Sequence, residues 1–369
     1  MKRNLLVYPF DNNFQAVLRH SGLLCEYNIS GLVSPNGWGL LEKDAGEAGK
    51  ADEIGIKVSG NFIKELEECD TVLFVDSQLK LDINKLVYPK MLEAIKRRKN
   101  IICALDMDSQ TREELAGMAS TSGVGCEFLI GTVIWQSPVK NEIYNINTPV
   151  VFVVGIAERT NKFELQLALR EHFLDEGYRV SQIGTKRYCE LLGFHSMPEF
   201  MYDPGFPESD RITLFNHYVK SMEKTEKPDV IIIGLSGGTM KFNNQFTNHF
   251  GISAYEISQA VTPDAAVCSV LYEEYKPLFF ESVIKSLRYK LGFEVDCFNI
   301  SNYRFDWIRT DRNNEMCFTL LNSDEVTQKI KEWSGLEPPV YNILNNNHAD
   351  EMCKLMLNKL SSYAEVQAF

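Results

Sequence analysis

The chain predicts an α/β protein of two three-layer domains, each a mostly parallel sheet with helices on both faces. Two observations predict it. Short β-branched runs alternate with helical stretches along the whole sequence, as in repeated strand-helix-strand units. The 369 residues exceed what one ordinary core supports, and a polar stretch near the middle, "SPVKNEIYNINTP", parts the alternation in two. A Rossmann-like domain is therefore placed at residues 1–147, and a P-loop-like domain with C-terminal helices at residues 148–369.

In the first half, residues 4–8, 29–33, 71–75 and 101–105 read as strands, and residues 14–21, 62–68 and 83–98 as helices. Between them, "GWGLLEKDAGEAGKADEIG" is small, glycine-rich and acidic, and reads as a mobile surface loop. Asp76 and Asp106 follow strands at the carboxyl edge, where open α/β sheets bind ligands. A helix N-cap is an equal reading for each. "EFLIG" and "TVIW" are weak strands before the linker, which ends near Pro149.

The second half restarts with a strand over residues 150–154, apolar and β-branched as a buried parallel strand requires. Gly155 ends it. Phe163, Leu165, Leu167, Leu169, Phe173 and Leu174 fall largely at helical spacing, and Gly177 stands where a helix C-terminal glycine belongs. Residues 178–183 begin the next strand. Further on come a helix at 212–222, a strand at 230–233, "AAVCSVLY", a helix at 278–290 and "EVDCFNIS". "DWIRTDRNNEMCFTLL" reads as two antiparallel strands turning around residues 311–314, and helices at 323–333 and 349–360 close the chain.

The loop after Gly155 has the position of a phosphate-binding loop, with amides at a helix N-terminus facing an anion. A full motif reads G-x-x-x-x-G-K-[ST], its second glycine admitting phosphate, its lysine neutralising charge and its hydroxyl holding magnesium. Here the run is Gly155, Ile156, Ala157, Glu158, Arg159, Thr160, Asn161, Lys162, Phe163, Glu164. The lysine is present. Asn161 replaces the second glycine and can adopt positive φ. Phe163 and Glu164 stand where hydroxyls are wanted, and the spacing is one residue longer than standard. Glu158 and Glu164 repel a triphosphate unless a metal intervenes.

The strand at 230–233 delivers Gly234, Ser236, Gly237 and Gly238 to the same edge. In P-loop proteins an acidic residue there orders magnesium, so both magnesium handles are absent. Ser236, Gly237 and Gly238 form a candidate amide nest for an anion, a pattern that tight turns also generate. "GTKRYCELLGFHSMPEFMYDPGFPESD" is too long for a plain connection, and such loops are usually functional. Lys186, Arg187, Tyr188 and His195 are its candidate ligand-facing residues. Phe194, Phe200 and Phe206 are its candidate partner-facing ones. Packing of the aromatics against the sheet edge is an equal reading.

A net charge of -12 and a pI near 5.1 argue against nucleic-acid binding, because "KRRK" at 96–99 is the one basic cluster and fits a solvated helix end. No apolar run approaches the roughly 18 residues of a membrane helix, and a cytoplasmic location is expected. Nine cysteines occur without C-x-x-C pairing, so most read as reduced core residues. His348, Asp350 and Cys353 lack partners at ligand spacing, and no metal is expected.

"GIAERTNKFELQLALREHFLDEGYRVSQIGTKRYCELLGFHS" resembles the clostridial peptide maturation system proteins, an uncharacterised family encoded beside Cys-rich ribosomal peptides. "NKFE" and "YCELLGFHS" carry it most firmly. The layout is more distantly similar to two-domain P-loop proteins related to dethiobiotin synthetase, whose phosphate loop also runs eight residues from first Gly to Lys. Their acidic residue after the later strand corresponds to Gly234, and their second loop glycine to Asn161. The first resemblance implies three partners: a precursor peptide, a radical SAM maturase and an acyl-carrier-related protein. It implies no chemistry.

Two expectations follow. In the favoured one, the protein is a non-hydrolysing P-loop-fold binding or scaffold component, holding a nucleotide or other phosphate-bearing ligand. In the other it is a nucleotide-dependent ligase-like enzyme or ATPase, with Lys162 and the loop amides on phosphate, assisted by Ser236, Lys186 and Arg187. That version must recruit Glu158, Glu164, Asp203 or Asp229 for magnesium. A homo-oligomer is compatible with either.

Overall fold

The computed structural model describes residues 2–50, 53–79, 81–129, 136 and 142–366. The chain forms two compact units, one of residues 1–133 with 187–193 and one of residues 134–186 with 194–369.

The first unit contains β1 (Arg3–Tyr8), α1 (Gln15–Arg19), β2 (Tyr27–Val33), α2 (Ala45–Ala48), β3 (Val58–Ser59), α3 (Phe62–Glu67) and β4 (Thr71–Phe74). α4 (Tyr88–Lys96), β5 (Asn100–Cys103), α5 (Ser109–Ser122) and β6 (Cys126–Phe128) complete it. The sheet order is β3-β2-β1-β4-β5-β6, with every registered pair parallel. This is the Rossmann order, whose ligand crevice opens between the strands following β1 and β4. No glycine-rich turn follows β1. Asp11 there accepts from Asn13 N at 2.8 Å, and Asp76 from Asn13 Nδ2 at 3.3 Å.

The second unit contains β7 (Val150–Gly155), α6 (Lys162–Asp175), β8 (Val180–Gly184), β9 (His195–Ser196), α7 (Glu208–Glu226), β10 (Val230–Gly234), α8 (Ile252–Ala260) and β11 (Ala265–Val270). α9 (Pro277–Leu291), β12 (Cys297–Ile300), β13 (Tyr303–Phe305), α10 (Trp307–Asn313), β14 (Phe318–Leu320), α11 (Ser323–Ile330), β15 (Val340–Tyr341) and α12 (Asn346–Val366) follow. Its main sheet runs β15-β12-β11-β7-β10-β8-β9, again with parallel pairs throughout. β7 is the central strand. Alternate residues of β7 go to opposite layers: Val150, Phe152 and Val154 pack with Phe215, Ile257 and Phe280 of α7, α8 and α9. Val151 and Val153 pack with Leu165 and Leu169 of α6 and Met352 and Met356 of α12. The three-layer α/β architecture of the sequence reading is present.

Four local expectations change. Residues 307–313 are helical: Asp306 accepts from Arg309 N at 2.9 Å as an N-cap, and Asn314 ends the turn with φ 52. The antiparallel pair is β13 with β14, on either side of that helix. The acidic glycine-rich loop is tied down, since Asp44 accepts from the amides of Gly46, Ile54 and Gly55, each at 2.8 Å. Asp108, not Asp106, caps α5, accepting from Thr111 N at 2.8 Å. Residues 142–148, read as linker, lie along α7: the buried Asn216 accepts from Tyr144 N at 2.8 Å and donates to Tyr144 O at 2.9 Å. "TVIW" lies outside the described residues.

Candidate functional site in the second unit

β7 and β10 are adjacent strands, so the loops leaving their carboxyl ends lie side by side. Thr239 N donates to Gly155 O at 3.0 Å. A Cβ on Gly155 would sit 2.4 Å from Thr160 Oγ1, and one on Gly238 2.6 Å from Ile156 O. Both positions require glycine because another chain segment occupies the side-chain space.

The loop keeps its curvature without a second glycine. Asn161 has φ 59 and Arg159 φ 56, so asparagine supplies the left-handed backbone that its short polar side chain tolerates. Asn161 Oδ1 accepts from Ser301 Oγ at 2.9 Å, and its Nδ2 donates to Asn302 Oδ1 at 3.0 Å. Ser301 Oγ also lies 3.2 Å from Arg159 O. Ser269 Oγ donates to Thr160 O and accepts from Asn299 Nδ2 at 2.7 Å. Side chains at the ends of β11 and β12 thus brace the loop from behind, and its shape does not wait for a ligand.

The amides of Glu158, Thr160, Asn161 and Lys162 meet no acceptor among the described residues. Alternating left- and right-handed residues at a helix start aim such amides at one point, an anion-binding nest. Lys162 Nζ donates to Ala157 O at 2.8 Å, closing over the loop it belongs to. Burial lowers its pKa to about 8, with Glu158 pulling the other way. Thr160 Oγ1 donates to Ala157 O at 3.2 Å.

Both positions that would order magnesium are occupied by something else. Phe163, directly after Lys162, is buried. A Cβ on Gly234 would lie 2.2 Å from Gln166 Cδ and 2.3 Å from both of its amide heteroatoms. Gln166 projects from α6 over the end of β10. Its Nε2 and Oε1 are buried with no partner among the described residues. Of the four carboxylates considered for recruitment, three have other tasks or no access, and Glu158 of the loop itself does not. Asp229 is held by Arg179 at 2.7 Å, whose side-chain and backbone donors bring its pKa down to about 2. Asp203 accepts from Gly205 N at 2.8 Å, Glu164 is buried and Glu158 is exposed.

The second loop is more built than its sequence suggests. Ser236 Oγ lies 2.6 Å from Tyr202 Oη, and Gly237 has φ 70. Residues 248–251 are four consecutive left-handed residues, with φ 47, 48, 57 and 71. Lys290 Nζ holds this turn by donating to Thr239 O and Phe250 O, each at 2.8 Å.

The other sequence candidates have surroundings of their own. Arg187 and Tyr188 group with the first unit, where the buried Tyr188 ring lies 5.5 Å from Phe14. His195 pairs with Glu226, Nε2 to Oε1 at 2.5 Å, and meets Tyr218 edge-on at 6.0 Å. Lys186 is partly buried, and its carbonyl accepts from Ser196 Oγ at 2.8 Å. Phe194 is buried with the Arg170 guanidinium 5.1 Å from its ring centre. Phe200 is in the main core, with Phe206 6.5 Å away and partly buried. These aromatics pack inward instead of facing a partner. Phe200→Ala is expected to lower stability by about 3–5 kcal/mol in a denaturant titration, and a change under about 0.5 kcal/mol would contradict a core role.

Sequence reasoning missed Ser269, Asn299, Ser301, Asn302 and Gln166. Each is a polar residue in or beside an apolar run, a weak signal whose partner is remote in sequence.

No protein-family model matches the chain, and no curated protein matches it. Among solved structures it is similar to a DUF1611 family protein from Anabaena variabilis, with TM-score 0.63 and 11% identity over 98% of this chain and 100% of that one. That likeness is one of fold across both units. Homoserine dehydrogenase from S. aureus aligns with TM-score 0.27 and 12% identity over 61% of this chain and 51% of its own, which carries no argument.

Proposed function

We infer that the second unit binds a phosphate-bearing ligand at residues 155–162 without hydrolysing it, as a binding or scaffold component of a ribosomal-peptide maturation system. The single observation that supports the non-hydrolytic part is Gly234 standing where a magnesium-ordering carboxylate is wanted, with the end of the Gln166 side chain in the space a Cβ there would take. The braced loop, its unpartnered amides and Lys162 support anion binding. The peptide-maturation context rests on the resemblance to the clostridial family, which supplies the precursor peptide, radical SAM maturase and acyl-carrier-related protein as proposed partners in the cytoplasm. Among the described residues no helix is long and apolar enough to cross a membrane, and no cluster of His, Cys, Asp or Glu suited to a metal is present.

Thermal-shift and calorimetric titration against ATP, GTP, CoA and pyrophosphate tests this reading, each with and without magnesium. At least one phosphate compound is expected to bind with the same affinity in both conditions, with no phosphate release from ATP. Magnesium-dependent binding with phosphate release would replace this reading by the ligase-like or ATPase one.

A further inference from the structure

The geometry points to a planar nucleobase as the other end of the loop's ligand, stacked on Trp307. This rests on the anion-cradle reading and extends it. The cradle adjoins an aromatic group within the same unit: Ala157 forms one apolar cluster with Leu271 and Phe305, against which Ile156, Phe242 and Phe318 pack. Arg159, itself a loop residue, places its guanidinium 5.1 Å from the Phe318 ring centre. The β13–β14 pair sets Phe305 opposite Phe318.

Trp307 opens α10, whose start is fixed by the Asp306 cap. Its indole lies 4.5 Å from Phe305 at 69° and 6.2 Å from Phe242 at 27°. Two neighbours therefore set the plane of the ring. Even so, 56% of Trp307 is exposed. A single exposed apolar residue needs no explanation. An indole oriented by two rings, one of which, Phe305, clusters with Ala157 of the loop, does, because stacking surfaces for bases are built this way and accept any base through its π-face. The occupant has to join an anion to a flat aromatic group, and Arg159, a loop residue with its guanidinium over Phe318, adds positive charge beside these aromatics. Nucleotides combine both features; an aromatic peptide side chain supplies only one.

The test titrates full-length wild type, Trp307→Ala, Trp307→Phe and Lys162→Ala with ATP and with inorganic tripolyphosphate, all without magnesium. ATP is expected to bind wild type about tenfold tighter than tripolyphosphate. Trp307→Ala should abolish that advantage while tripolyphosphate affinity stays unchanged, and Trp307→Phe should keep most of it. Equal affinity of wild type for both probes, or an equal loss of both in Trp307→Ala, would overturn the nucleobase and leave the cradle standing. Failure of wild type to bind either probe would overturn the cradle and the inference with it.

Discussion

Lys162→Ala is expected to weaken tripolyphosphate binding by about a hundredfold or more, in line with losing one partner of a desolvated charge pair, with the fold intact by circular dichroism. The ammonium is hydrogen-bonded to a carbonyl of the loop itself, Ala157 O, at 2.8 Å. Its titration sharpens the test. Burial lowers the pKa to about 8 in the folded chain, against about 10.4 for a free lysine. Between those values the unfolded chain holds a proton that the folded chain lacks, so stability contributed by this group rises with pH across that window. Anion binding works in the opposite direction. Below pH 8 the ammonium is already formed; above it, binding must take up a proton and affinity falls. Calorimetry at pH 9 in buffers of different ionisation heat should register that uptake in wild type and not in Lys162→Ala. A pH-independent affinity in wild type would place the anion away from Lys162.

Gly234→Asp is expected to destabilise the protein by more than about 3 kcal/mol, the range of an unpaired buried charge. The new Cβ alone would meet Gln166 at 2.2 Å, and the carboxylate would follow it into a region where the Gln166 amide already has no partner. Gln166→Ala removes the obstacle. In a double-mutant cycle the pair should be coupled, Gly234→Asp costing less in the Gln166→Ala background. Additive costs, measured by denaturant titration of all four proteins, would show that Gln166 does not occupy the space a carboxylate needs.

Much of this architecture was legible in the sequence, and the reasons differ by element. The strands at β7 and β10 are continuous apolar runs with glycine at the end, and period and composition suffice for them. The left-handed backbone at Asn161 was readable too, since few residues other than glycine adopt it at low cost. The helix α10 was not: Trp307 and Ile308 look like strand residues, and the Asp306 cap that decides the matter is one residue ahead of them. Phe200 and Tyr188 had the composition of a recognition loop, but burial depends on which elements cover them. The brace formed by Ser269, Asn299, Ser301 and Asn302 joins strands more than a hundred residues after the loop it supports, and no local pattern encodes such a meeting. Gln166 and Gly234 are complementary only once α6 has been laid across β10.

The segment of residues 187–193 gives the chain an order of events. The first unit is interrupted after residue 133 and takes up seven residues from much later in the chain, including Tyr188, which packs on Phe14. A ribosome adding about 5–20 residues per second needs roughly 3–12 s to make the intervening stretch. During that interval the first unit lacks residues 187–193, the Tyr188 ring that packs on Phe14 among them. Completion of the Rossmann-like half is thereby timed to the emergence of α6 and the phosphate-loop sequence before it, and a gene cut at the apparent boundary would leave the first unit without those residues for good.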